Sequence, residues 1–277
     1  MVYDCLLLRY GEIFLKGQNK GFFERKLLDN IKKITGITEI KNVRGRLIAP
    51  YTSNCSSLSR VFGLVSYSPA LKVEKDFEII KKSAVELLKG KKGTFKIEPK
   101  RSDKRFELTS PEINIQLGKY IEANTSLKFK GEEYDHLLGV EINQDGAYLF
   151  TEVLNCFGGL PTGVEGKVPV LIENEDSLLA ALLFMKRGCD IVPVSLKERD
   201  ISLLQKFSPS PLLLHVFKTF KETELFLERG KHAVLVCGES FSNYHKKEIK
   251  LTLLRPLIAY SLEQIKRELE KFKNCSK

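Results

Sequence analysis

The chain has 277 residues, 43% hydrophobic and 29% charged, and no low-complexity tract. That length can bury two or three small cores, and no apolar run approaches the roughly 20 residues that a membrane helix needs. Lys and Arg number 45 against 35 Asp and Glu, and the resulting net charge of +10 points to anionic partners, nucleic acid or a membrane surface.

The opening "MVYDCLLLRYGE" holds Asp4 inside a short apolar run and has no basic leader, so it reads as a first strand and not a signal peptide. Phe22, Phe23, Leu27, Leu28 and Ile31 then recur at helical spacing, and Gly36 ends the helix. "GRLIAPYT" and "GLVSYSPALKV" read as strands, separated by the helix-like "NCSSLSRVF". A second amphipathic helix, Phe77 to Leu88, closes at "KGKKG" and leads into the strand "TFKIEPKR". "TSPEINIQLGKYIEAN" has a good helix start: Thr109 or Ser110 as N-cap, then Pro111 and Glu112. "LLGVEINQDGAYLFTEVL" reads as a hairpin turning at "QDG". "NCFGGLPTGVEGK" is rich in glycine and reads as a linker.

Beyond it, expected strands at 168–172, 190–195, 211–216 and 232–237 alternate with expected helices at 177–187, 198–206 and 219–228, before a last helix from Ser261 to Phe272. Such alternation means βαβ units and an open parallel sheet. The expected fold class is therefore α+β followed by α/β, with boundaries at 1–75, 76–165 and 166–277. Positive charge gathers early. Residues 1–75 carry 13 basic against 6 acidic side chains, and Lys81 to Arg105 carries 10 against 3. Cys5, Cys55, Cys156, Cys189, Cys237 and Cys275 are scattered without a CxxC pair, which argues against zinc and for a reducing cytoplasm. His136, His215, His232 and His245 are isolated and form no ligand or triad pattern.

Three stretches together resemble the tRNA 4-thiouridine synthetase (tRNA sulfurtransferase) family: "RYGEIFLKGQNKGFFERKLLDNI" from Arg9, "FKIEPKRSDKRFELTSPEIN" from Phe95, and "GGLPTGVEGKV" from Gly158 followed by "MKRG" at Met185–Gly188. "CGES" at Cys237–Ser240 and "LRPLIAYS" at Leu254–Ser261 extend the match in order. The resemblance implies an N-terminal ferredoxin-like domain at 1–75, a THUMP domain at 76–165 that binds the tRNA acceptor end, and an ATP-pyrophosphatase-like (PP-loop) domain at 166–277.

Active members of that family carry a phosphate loop of the form SGGxDS after the first strand of this last domain. Here those positions are Ile172, Glu173, Asn174, Glu175, Asp176 and Ser177, and only the last two match. Carboxylates facing a triphosphate cost about 1 kcal/mol per charge pair in water and about 4 at an effective dielectric of 20. The same acids suit a helix N-terminus, so strand and helix can outlive a lost phosphate site. Asp176 or Ser177 is expected to cap that helix. The family's catalytic cysteine also has no counterpart between Asp190 and Val236. Asp176, Ser177, Gly238, Glu239 and Ser240 are accordingly read as a vestigial nucleotide site, with no catalytic and no metal residue.

The expected RNA contacts are Lys96, Lys100, Arg101, Lys104, Arg105 and Thr109, because the cluster falls on the match to an RNA-binding module. Arg9, Lys16, Lys20, Arg44 and Arg46 form an expected second surface, and Phe106 is expected to pack inward. The expected function is that of a cytoplasmic, non-catalytic tRNA-binding or presenting protein in tRNA modification and thiolation, without a cofactor. The alternative is an active, divergent ATP-dependent tRNA sulfurtransferase using ATP and Mg. A separate modifying enzyme as partner and a homodimer stay open.

Overall fold

The computed structural model describes residues 3–43, 45–245, 247 and 249–275. In chain order the elements are β1 (Cys5–Tyr10), α1 (Lys20–Thr35), β2 (Lys41–Val43), β3 (Arg46–Pro50), β4 (Leu64–Val73), α2 (Phe77–Leu88), β5 (Thr94–Arg101), α3 (Ser110–Asn124), β6 (Lys128–Phe129), β7 (His136–Ile142), β8 (Ala147–Phe150) and β9 (Leu154–Asn155). There follow β10 (Lys167–Leu171), α4 (Glu175–Lys186), β11 (Asp190–Ser195), α5 (Ser202–Phe207), β12 (His215–Val216), α6 (Phe220–Arg229), β13 (Val234–Cys237), β14 (Thr252–Leu254) and α7 (Leu262–Cys275).

These elements group into two units. The first comprises Met1–Arg9, Ile37–Cys55 and Ser66–Asn155, and the second Tyr10–Gly36, Ser56–Val65 and Cys156–Lys277.

The first unit is built on a mixed sheet ordered β2-β3-β1-β4-β8-β7-β5-β6, with β9 pairing β4. Its core lies between α2, α3 and the strands they cover, and includes Ile80, Phe95, Ile97, Ile113, Leu117, Leu138 and Val140. β5 alternates: Phe95 and Ile97 are buried, which directs Lys96, Glu98 and Lys100 to the opposite face. Thr109 caps α3 in a complete capping box with Glu112, as its spelling implies.

The second unit holds an all-parallel sheet ordered β12-β11-β10-β13-β14. α4 is its central helix, with Leu178, Leu179, Ala180, Ala181, Leu182 and Met185 buried. The hydrophobic core ends in an aromatic cluster. Phe62 stacks on Phe207 at 5.6 Å between centroids, Phe157 stacks on Phe272 at 4.1 Å, and Phe207 meets Phe272 edge-on at 5.5 Å.

Some expectations are corrected by packing. The glycine-rich run before β10 is a docked strap and not a free linker. Its Gly158 carbonyl accepts from Gly63 N–H, Leu160 N–H donates to the Lys186 carbonyl, and Asn30 donates to the Thr162 carbonyl. Gly159 and Gly188 have positive φ, and a Cβ at Gly159 would lie 2.2 Å from the Lys186 carbonyl. The strand expected at 211–216 shrinks to His215–Val216, since Pro209 and Pro211 bring no N–H to a ladder. α4 begins at Glu175 with Asn174 as N-cap, so neither Asp176 nor Ser177 is the cap.

Phe207 is fully buried within the aromatic cluster. Phe207→Ala should lower the unfolding free energy by about 3–5 kcal/mol in urea titration, and a loss under about 1 kcal/mol would show that the cluster does not hold this unit.

Candidate nucleic-acid interface and the acidic strand end

The loop after β5 is organised by a carboxylate. Asp103, 3% exposed, accepts from Lys75 Nζ at 2.8 Å and from Arg105 Nε and Nη2 at 3.0 and 3.2 Å. The hydrogen bonds from Arg105 and Lys75 hold its carboxyl well below the usual range. Arg101 serves the loop as well, donating Nη1 to the carbonyls of Phe106 and Leu108 at 3.1 Å each. Lys96 pairs with Glu98 at 3.1 Å and sits over the Tyr134 ring. Thr109 is committed to its capping box, and Phe106 is buried. Lys100, Lys104 and Arg105 are the cations of the expected cluster that stay exposed; Thr109 is exposed as well, with its hydroxyl engaged by Glu112. Lys75, far away in sequence, was not legible as part of it.

The expected second surface divides. Arg9 is buried; it donates Nε to Glu141 Oε1 at 2.9 Å and Nη1 to Ser68 Oγ at 2.9 Å, with its guanidinium 4.7 Å from the Phe150 ring centroid. Arg46 donates Nε to Glu141 Oε2 at 2.7 Å. Two guanidinium groups thus hold one carboxylate that is 5% exposed. Arg9 is an internal strut and not a free phosphate ligand. Burial pushes the Glu141 carboxyl up, and the charges of Arg9 and Arg46 more than offset it, so its pKa lies below the ordinary 4.5. Lys16 and Lys20 belong to the second unit, over the rings of Phe23 and Phe14 at 4.6 and 4.8 Å. Arg44 lies outside the described residues.

The parallel pairing of β10 with β13 sets Leu171 opposite Cys237, so residues 172–177 and 238–240 emerge side by side at the carboxyl edge of the sheet. A parallel sheet usually binds ligands there. In this chain several of the local donors are already used. Ser177 Oγ accepts from the backbone N–H groups of Glu173 and Asn174 at 3.1 and 3.4 Å. Asn174 Oδ1 accepts from the Ser177 N–H at 3.1 Å. Lys247 Nζ bridges Glu173 at 2.9 Å and Glu239 at 3.1 Å, and Arg255 Nε reaches the other Glu239 oxygen at 2.8 Å. Burial pushes the Glu239 carboxyl up, but hydrogen bonds from Arg255 and Lys247 bring it below its ordinary value.

Asp176 accepts from Asn243 at 3.3 Å, and burial raises its pKa. Ser240 is buried, and its N–H donates to Asn243 Oδ1 at 2.7 Å. Gly238 allows the closest approach: a Cβ there would lie 2.5 Å from Ser177 N and Cα. The cavity left beside this network is about 390 Å³ and is lined by Glu173, Asn174, Glu239 and Lys247, among others. Burial pushes the neighbouring Cys237 thiol up to about 12, far from a thiolate nucleophile. Lys247 and Arg255 escape sequence reading because their partners are distant in the chain. The N-x-x-S spacing of Asn174 and Ser177 could have revealed the true cap.

Family models place the ThiI ferredoxin-like domain on residues 5–68 and the THUMP domain on residues 74–152. The chain is 39% identical over 189 residues to a probable tRNA sulfurtransferase of Mycoplasmopsis synoviae, covering 68% of this chain and 50% of that protein. It is 40% identical over 211 residues to a probable tRNA sulfurtransferase of Natranaerobius thermophilus, covering 69% and 51%. The chain thus spans about half the length of the curated relatives it matches. Among solved structures it resembles PH1313 from Pyrococcus horikoshii, with a TM-score of 0.85, 30% identity, and coverage of 98% of this chain and 99% of that one. It also resembles a 4-thiouridine synthetase–RNA complex with bound ATP, with a TM-score of 0.83, 27% identity, and coverage of 99% and 86%. Together these define a ferredoxin-like and THUMP protein with a parallel-sheet C-terminal domain. The chain belongs to the tRNA 4-thiouridine synthetase, or tRNA sulfurtransferase, family.

Glu141→Gln should destabilise the protein by about 3 kcal/mol at neutral pH, by leaving the buried Arg9 and the partly buried Arg46 underneutralised. A depressed carboxylate pKa stabilises above its unfolded value and loses that contribution as pH falls through the folded one. The difference between wild type and variant should therefore be full above about pH 5 and shrink below the ordinary 4.5. A difference independent of pH in denaturant melts would refute the clamp.

Proposed function

We propose that this chain binds tRNA in the service of tRNA modification, without catalysing thiolation itself. On this reading, sequence domains at 1–75, 76–165 and 166–277 divide the work: the first two hold the acceptor end, and the third is a degenerate PP-loop domain kept as a scaffold. Lys100, Lys104 and Arg105 meet phosphates, and Lys16 and Lys20 supply further cationic contacts. The setting is cytoplasmic; among the described residues no helix is long and apolar enough to cross a membrane.

The observation that carries the non-catalytic reading is Lys247 held between Glu173 and Glu239. Admitting a phosphate would break this partly buried pairing and expose the ligand to Glu173. Breaking a buried pair costs about 3–5 kcal/mol. Two of the loop amides, those of Glu173 and Asn174, are bound to Ser177 Oγ. The 4-thiouridine synthetase relative with bound ATP favours the active alternative on fold alone.

Calorimetry with ATP and Mg should give no binding heat, while a tRNA transcript binds with strong salt dependence. Charge reversal at Lys100, Lys104 and Arg105 should flatten the slope of log K against log salt by roughly 2. Micromolar ATP binding, or ATP-dependent thiolated tRNA made by this chain alone, would establish the sulfurtransferase instead. An unchanged affinity in the triple variant would remove these residues from the interface.

A further inference from the structure

The second unit has another cavity, of about 520 Å³, whose lining includes Glu12, Leu183, Phe184, Lys186, Arg187 and Tyr260. It lies at the C-terminal end of α4. The acidic strand end meets the other end of that 12-residue helix, about 18 Å away at 1.5 Å rise per residue. The two places are therefore separate.

Lys186 is half-buried and Arg187 exposed, and neither forms an ion pair among the described residues. A pair of cations at a helix C-terminus often serves the helix, by meeting its last carbonyls. Here those carbonyls are already taken. Arg187 N–H bonds the Leu183 and Phe184 carbonyls, Gly188 N–H bonds that of Met185, and Leu160 N–H bonds that of Lys186. The two side chains are left with charge that the fold does not use.

The rest of the lining complements that charge. Leu183, Phe184 and Tyr260 pack their inner sides on the core and are only partly buried. An exposed Glu12 completes the rim. Cations, partly exposed aromatic rings and one hydrogen-bond acceptor suit a ligand with an anion, a flat ring and donor groups. The volume falls within the range of small-ligand sites.

We propose that this cavity binds a single unpaired nucleotide. Its phosphate meets Lys186 and Arg187, its base lies against Phe184 and Tyr260, and Glu12 accepts from a ribose hydroxyl or a base amino group. The proposal rests on the tRNA-binding reading for the source of the nucleotide, which is an unstacked residue of RNA. A free mononucleotide shares the chemistry.

Fluorescence anisotropy with labelled tRNA and calorimetry with 5′-AMP test the site on the full chain. K186A/R187A should weaken tRNA binding at least fivefold and lower its salt slope by about 1 to 2, with the melting temperature unchanged. F184L, which keeps apolar bulk but removes the ring, should also weaken binding. Loss of 5′-AMP binding alone, with tRNA affinity intact, would uphold the cavity and assign it to a free mononucleotide. Unchanged binding of both ligands in K186A/R187A would overturn the site. If the wild type bound no tRNA, the tRNA reading would fail, and the 5′-AMP measurement would still decide the cavity.

Discussion

The carboxyl edge of the parallel sheet depends on one close approach. Gly238, the residue after β13, lies against the first turn of α4 so tightly that a side chain there would meet Ser177 backbone at 2.5 Å. That contact carries the next residue, Glu239, into a site where it is 5% exposed. A carboxylate so placed must be neutralised, and Lys247 and Arg255 do so. Once Lys247 is drawn in, Glu173 has a partner as well, and the acidic loop becomes stable in place.

The consequence is a strand–loop–helix unit held without a ligand. Phosphate loops leave backbone N–H groups unpaired so that a phosphate can take them. Here Ser177 Oγ takes those of Glu173 and Asn174, and the Asn174 side chain caps the helix. Glu175 and Asp176 in the first turn complement the helix dipole. The side chains of Asn174 and Ser177 thus take up part of the hydrogen-bonding capacity of this helix start.

In the first unit the basic residues serve two purposes that composition cannot separate. Arg9 and Arg46 neutralise the buried Glu141, and Arg101 closes a loop through two carbonyls. Lys100 and Lys104 have no such task among the described residues, and Arg105 keeps 74% of its side chain exposed while Asp103 fixes its position. A positive net charge therefore overstates the cationic surface.

Local pattern determined much of this protein. The alternation of Phe95 and Ile97 with lysines, the spelling of the Thr109–Glu112 capping box, and the glycine after α1 each act over a few residues, and each is legible in the chain. So was the acidic, glycine-free turn Glu173-Asn174-Glu175-Asp176 between strand and helix, since it is a contiguous run. The tertiary structure alone decided the rest. It made a docked strap of the glycine-rich run, because Gly63, Asn30 and the end of α4 supply its hydrogen bonds. It chose which cations face solvent, because Glu141 lies 132 residues from Arg9. Glu173 and Lys247 are 74 residues apart. No local period encodes such pairs; burial of a shared carboxylate selects them only once the sheets have formed.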